Sequence, residues 1–167
     1  MNRSGFLLLE TSLSTFVIMT GLIAVLPLMA LCVRASKDIV HVKTATQLSV
    51  ELLEEIRLHK WDELTPSSLQ AISLGTATLG PDSGETAADK TTFDDLDDFN
   101  GWTESPPQDP TMQSLTALTG YTRSVTVSYV DSNLNASATP TDYKKVHVCT
   151  QWLQESPVCL DTLFTNR

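Results

Sequence analysis

At 167 residues the chain has room for one domain of ordinary size and not for two. Twenty acids against eleven bases give a formal net charge of −9. No basic stripe offsets it, because Lys43, Arg57 and Lys60 are interleaved with Glu51, Glu54 and Glu55, so a phosphate backbone is repelled and no nucleic-acid partner is expected.

The first element is an uncharged run from Leu13 to Val33, interrupted only by Ser14, Thr15, Thr20, Gly21 and Pro27. As a helix it rises roughly 31 Å, the thickness of a bilayer core, and a helix is the single segment that satisfies its own backbone there. A cleavable secretory signal fits poorly: Arg3 supplies a basic start, but the apolar stretch is too long and Ala30-Leu31-Cys32 is a poor cleavage sequence. A plain anchor leaves Glu10 unexplained, since a carboxylate in a transmembrane helix costs about 2.5–3.5 kcal/mol at the centre and less near the interface.

The order Gly5-Phe6, Glu10 five residues into the segment that Phe6 opens, the uncharged run, Gly21 and Pro27 together form a third pattern. The stretch GFLLLETSLSTFVIMTGLIAVLPLMAL resembles the N-terminus of type IV prepilins and type II secretion pseudopilins. That resemblance implies a leader over residues 1–5, cut by a prepilin peptidase after Gly5, with Phe6 as the new, methylated N-terminus and Glu10 as the assembly carboxylate. It also implies a non-enzymatic filament subunit. Residues 6–33 would be its transmembrane and filament-core half, inserted singly in a bacterial inner membrane with the head in the periplasm. Its partners would be identical or homologous pilin subunits and an inner-membrane assembly platform. Gly21 frees the backbone and Pro27 removes a donor, so the segment between them can unwind on leaving lipid, or simply kink the span.

From Arg34 the helical spacing continues through Ile39, Val42, Ala45, Leu48, Leu52, Leu53, Ile56 and Leu58, with Pro66 ending it near Leu64. Residues 34–64 therefore read as an amphipathic half whose apolar stripe needs a covering sheet. Turn signals fill the next stretch: Thr65-Pro66, Gly80-Pro81, Asn100-Gly101, Pro106-Pro107 and Asp109-Pro110. Between residues 81 and 110 lie nine acids against the single base Lys90.

Within this loop, Phe93-Asp94-Asp95-Leu96-Asp97-Asp98-Phe99-Asn100-Gly101-Trp102 resembles the FDD-x-DD-aromatic-x-GW segment of minor pilins of the mannose-sensitive haemagglutinin type. Two readings of it stand. Asp94, Asp95, Asp97 and Asp98 could offer hard oxygen ligands to Ca²⁺, although EF-hand spacing is absent. That would fit a membrane-anchored binding protein. Otherwise the segment is a solvated acidic loop held by Phe93, Phe99 and Trp102.

Three alternating segments close the chain: Thr122–Val130, Lys145–Leu153 and Val158–Phe164, the last two flanking Gln154-Glu155-Ser156-Pro157 as a hairpin. Val125, Val127 and Tyr129, then Val146, Val148, Thr150 and Trp152, then Val158, Leu160, Thr162 and Phe164 share the faces turned to the helix. A long helix followed by strands reads as α+β, with residues 65–167 as a β-rich head. Cys149 and Cys159 fall on the opposite face. A three-residue turn would set them opposite each other for a disulfide, and a four-residue loop would not. No phosphate loop or nucleophile elbow is present, and His41, His59 and His147 have no cysteine or carboxylate at metal spacing, so neither an enzyme nor a resident cofactor is expected.

Overall fold

The computed structural model describes the backbone of residues 3–62 and 78–166, and the side chains of residues 9–62 and 78–166. The expected helix end at Leu64, the Thr65-Pro66 turn and the first two residues of the expected leader lie outside the described residues. The architecture is α+β: a long helix α1 (Arg3–Ile56) and an antiparallel sheet of β1 (Thr103–Glu104), β2 (Tyr121–Tyr129), β3 (Tyr143–Trp152) and β4 (Val158–Thr165), in that spatial order. The chain divides into two compact units, residues 1–41 and 42–167.

In the second unit, α1 buries Ala45, Leu48, Ser49, Leu52, Leu53 and Ile56, the three-and-four spacing of a single stripe. Leu52, Leu53 and Ile56 meet Val125 and Val127 of β2 and Val146 and Val148 of β3 in the main core. Ala45 and Leu48 pack with Tyr121, backed by Trp152. Across the sheet, Val125 faces Val148 and Val127 faces Val146. The shared inner faces of the three long strands follow the alternation of the sequence.

The helix stops earlier than its apolar letters suggest. Arg57 N–H still donates to the Leu53 carbonyl at 3.0 Å, but Leu58 and His59 donate to Glu55 and Ile56, a tighter final turn. Lys60 then pairs with the acidic segment: its N–H donates to the Asp94 carbonyl at 3.4 Å, and Leu96 N–H donates to the Lys60 carbonyl at 3.0 Å. Leu58, expected in the stripe, is 87 % exposed as a result. Val42 is exposed as well.

The short strand β1 carries no alternation that a sequence could reveal. Its position follows from the acidic segment that leads into it. Asn100 Oδ1 accepts Val127 N–H at 3.0 Å, Gly101 N–H donates to Val125 O at 3.1 Å, and Val125 N–H donates to Trp102 O at 2.9 Å. Thr103 and Glu104 continue this pairing along the edge of β2.

A close approach fixes one turn. Gly120, just ahead of β2, has φ +102°, and a Cβ there would lie 2.8 Å from Trp152 Cζ3. Its carbonyl accepts Leu153 N–H at 2.8 Å from the β3–β4 turn. Gly120→Ala should therefore destabilise the head by about 1–3 kcal/mol, from backbone strain and a clash with a packed ring. All three tryptophans lie beyond residue 60, so tryptophan fluorescence during thermal unfolding of the full chain in detergent reports this unit alone and should show a lowered midpoint.

Candidate functional site

The first candidate is the N-terminal part of α1. The helix is long and apolar enough to cross a membrane, and every residue from Leu9 to Val40 is exposed. Its hydroxyls turn back onto its own backbone: Ser12 donates to the Leu9 carbonyl at 3.0 Å, Thr15 to Thr11 at 2.7 Å, Thr20 to Val17 at 2.9 Å and Ser36 to Cys32 at 2.9 Å. Such bonds leave methyl and methylene groups outward, as a surface in lipid requires.

Gly5 and Phe6 lie in the helical backbone, Glu10 is exposed on the same helix, and the helix runs through Gly21 and Pro27 without a break. Among the described residues Glu10 has no hydrogen bond or ion pair. Toward the C-terminus the residues that follow it on the helix are uncharged until Arg34, and Arg3 precedes it by seven positions.

The second candidate is the acidic segment, and here burial replaces solvation. Asp95, Asp97 and Asp98 are 2–3 % exposed, so the segment is not the solvated loop that its charge density suggests. Phe93, Phe99 and Trp102 do anchor it in the main core, with edge-to-face contacts at ring separations of 5.1 and 5.6 Å. The reason for the burial is Lys144, an inward residue of β3 and itself fully buried. Its ammonium donates to the Trp61 carbonyl at 2.6 Å, to Asp62 Oδ2 at 3.4 Å and to Asp97 Oδ1. An ammonium has three protons, and each finds an acceptor. The ring of Trp61 lies 4.9 Å from the same nitrogen and that of Tyr129 5.5 Å.

The other acids are also held by the fold. Asp98 Oδ2 accepts the backbone N–H groups of Asp94 and Asp95 at 3.0 and 2.9 Å. Asp95 Oδ1 accepts Asp97 N–H at 2.8 Å, and Asp94 pairs with Lys60 at 3.0 Å on the surface. The four carboxylates named as oxygen ligands therefore do not converge: only Asp94 and Asp98 share a cluster, with Glu85, whose ligand oxygens lie within 4.8 Å of one another. With several acids around Lys144, burial, then Asp97 and Asp98, push the Asp95 carboxyl up to about 8. Burial and the neighbouring Asp98 raise Glu85 as well.

A second buried cation group mirrors the first. Arg123, an inward residue of β2, donates from Nε to Glu104 of β1, from Nη1 to the Leu48 carbonyl of α1 at 3.1 Å and from Nη2 to the Gln108 carbonyl at 2.6 Å. Lys90, the single base of the acidic stretch, is buried between Glu55 at 2.9 Å and Glu104 at 3.7 Å. Neither cation group is visible from the valine faces alone. Continuing the alternation one step earlier, from Val125 to Arg123 and from Val146 to Lys144, places both on the core face.

Cys149 and Cys159 stand directly opposite each other and form a disulfide on the outer face of the β3–β4 hairpin. The register is that of a three-residue turn at residues 153–155, with Leu153 at φ +47° and Glu155 N–H donating to the Trp152 carbonyl at 2.9 Å. Cys32 is a free, exposed thiol on α1.

No protein-family model, no curated protein and no solved structure matches the chain.

Removing Lys144 while leaving its acids should be costly. Lys144→Met should lower head stability by about 3–5 kcal/mol, and adding Asp97→Asn should recover part of the loss, measured as a double-mutant cycle on the tryptophan unfolding signal. A pH effect follows from Asp95. Its folded-state pKa is raised, so the folded form holds the extra proton between the ordinary value of 3.8 and about 8, and stability on its account falls as pH rises through that window. Asp109 is held low by the Thr111 hydroxyl and Gln113 N–H, and Asp131 by Asn135; their contributions are lost only as pH falls below the ordinary carboxylate range. Asp95→Asn, which keeps the acceptor for Asp97 N–H, should therefore gain on the parent chain as pH rises from about 5 to about 8. Unfolding midpoints of the two proteins at both pH values check this.

Proposed function

We propose that the chain is a structural filament subunit of the type IV pilin and type II secretion pseudopilin kind, a minor pilin or pseudopilin rather than the bulk subunit. It enters the bacterial inner membrane as a prepilin with its head in the periplasm, is cleaved between Gly5 and Phe6, and assembles through α1. The observation that carries this reading is the solitary carboxylate of Glu10 in the exposed apolar part of α1, the fifth residue beyond the Gly5-Phe6 junction. A helix used only as an anchor is destabilised in lipid by such a group.

Cleavage supplies the missing charge. It leaves a positive amine on Phe6, and in a bundle of such helices the carboxylate of one subunit meets the amine of the next. Each charge is costly alone in a medium of low dielectric, and the pair compensates. The attraction therefore acts as a register device, favouring subunits inserted at one axial offset. Pro27, which lacks a donor for the Ile23 carbonyl, gives the helix a place to open when it passes from lipid to the filament.

Mass spectrometry of the protein purified from its own cells should find a mature chain beginning at N-methylated Phe6. Glu10→Ala should leave membrane insertion and head folding unchanged but eliminate incorporation into filaments. A mature chain that still begins at Met1, or normal filaments built from the Glu10→Ala variant, would contradict the reading.

A further inference from the structure

The outer face of the β3–β4 hairpin brings together residues that the linear sequence keeps apart. His147 and Cys149 are two residues apart on β3 and so point to the same side. The register sets Cys159 opposite Cys149, and Asp161 opposite His147. The ligand atoms of His147, Cys149 and Cys159 lie within 4.8 Å of one another. The expectation that His147 has no cysteine or carboxylate at metal spacing is overturned by this pairing, which a count along one strand does not reveal.

The two ring nitrogens of the histidine face different partners. Its Nδ1 faces Asp161 Oδ1 at 2.6 Å, and its Nε2 points at Cys149 Sγ at 3.0 Å. A carboxylate on Nδ1 holds the proton there and leaves the Nε2 lone pair free to bind, the usual outer partner of a metal-bound imidazole. All four residues sit on two paired strands, whose register fixes their backbones relative to one another. The site is reachable, since Cys159 is exposed and the His147 side chain is 40 % exposed.

We propose that the hairpin has two exclusive states: the Cys149–Cys159 disulfide, and a site for a borderline-soft divalent cation such as Zn²⁺ held by His147 Nε2 and the two thiolates, with a fourth position open. A dithiol reductant passes two electrons and two protons to the disulfide and is itself oxidised to a disulfide, leaving two thiols. The metal then displaces one proton from each thiol to solvent and forms two metal–sulfur bonds. Two sulfurs and one imidazole are the ligand types that this class of ion prefers over hard oxygen-seeking cations. While the sulfurs are bonded to each other they cannot serve as thiolates, so the redox state gates the site.

The test uses the full chain in detergent, reduced with dithiothreitol, desalted without oxygen, and titrated with Co²⁺ as a spectroscopic stand-in, followed by displacement with Zn²⁺. The reduced protein should bind one equivalent and develop thiolate-to-cobalt charge-transfer absorption, which the oxidised protein lacks. Cys32→Ser should retain this signal, and Cys149→Ser with Cys159→Ser should remove it. Asp161→Asn should weaken binding about 10-fold or more, and His147→Ala by at least as much. X-ray absorption of the zinc form should show two sulfurs at about 2.3 Å and a nitrogen at about 2.0–2.1 Å. The parent protein is read directly, and an unchanged tryptophan spectrum on reduction shows that the head remains folded. A reduced, folded chain that gives no charge-transfer signal, or one whose affinity is unmoved by His147→Ala, overturns the proposal.

Discussion

Two cations at inward positions of one sheet govern how the head is built. The inner row of β2 reads Tyr121, Arg123, Val125, Val127, Tyr129, and that of β3 reads Lys144, Val146, Val148, Thr150, Trp152. Valine pairs occupy the middle, and a fully buried cation stands toward either end. A charge taken out of water without partners costs several kcal/mol. Something must therefore bring acids and carbonyls to both ends of the sheet, and the irregular segment between α1 and β2 does so. Asp62 and Asp97 reach Lys144, while Glu104 and the Gln108 carbonyl reach Arg123. Part of the acidity of this segment, at Asp62, Asp97 and Glu104, is thus a structural demand of the sheet.

That demand explains features that look unrelated. Helix α1 ends at Ile56 because Lys60 turns away to pair with the backbone of Asp94, Asp95 and Leu96, and this pairing places Trp61 and Asp62 beside Lys144. The edge strand β1 exists because Asn100, Gly101 and Trp102 are already bonded to β2 when the chain reaches Thr103. The Lys144 end holds further acids, with Asp95 and Asp98 beside Asp97. Burial first, and then the neighbouring Asp97 and Asp98, raise the Asp95 carboxyl there. The Arg123 end is balanced instead, with Arg123 and Lys90 against Glu104 and Glu55.

The parts legible in the sequence were those governed by hydrophobic period. The apolar run, the stripe of α1 and the faces of three strands follow from spacing alone, and together they give α+β. The helix end was not legible, because Leu58 fits the stripe and nothing in its letter reveals that Lys60 prefers a partner elsewhere. Arg123 and Lys144 are not legible from an alternation of apolar residues, because a charged inward residue breaks that rule. The Cys149–Cys159 pairing depended on turn length, which Gln154-Glu155-Ser156-Pro157 leaves open, and Leu153 in a left-handed conformation settles it. The grouping of His147 with both cysteines is a property of register, which no single strand contains.

The same electrostatic rule gives Glu10 its meaning. In the head, the buried cations have partners at short range: Lys144 has three acceptors, Arg123 has three, and Lys90 has two carboxylates. On the apolar part of α1 the described residues give Glu10 none. A carboxylate exposed to water needs no partner, but a helix that is apolar on all sides is suited to lipid or to a bundle of its own kind. In either setting the charge calls for a counter-charge, and the described part of the chain supplies none close by. Sources outside the described side chains include the terminus that processing would create and a second molecule. In the filament proposed above these are one and the same, the Phe6 amine of a neighbouring subunit, so a single ion pair would join the chemistry of cleavage to the geometry of assembly.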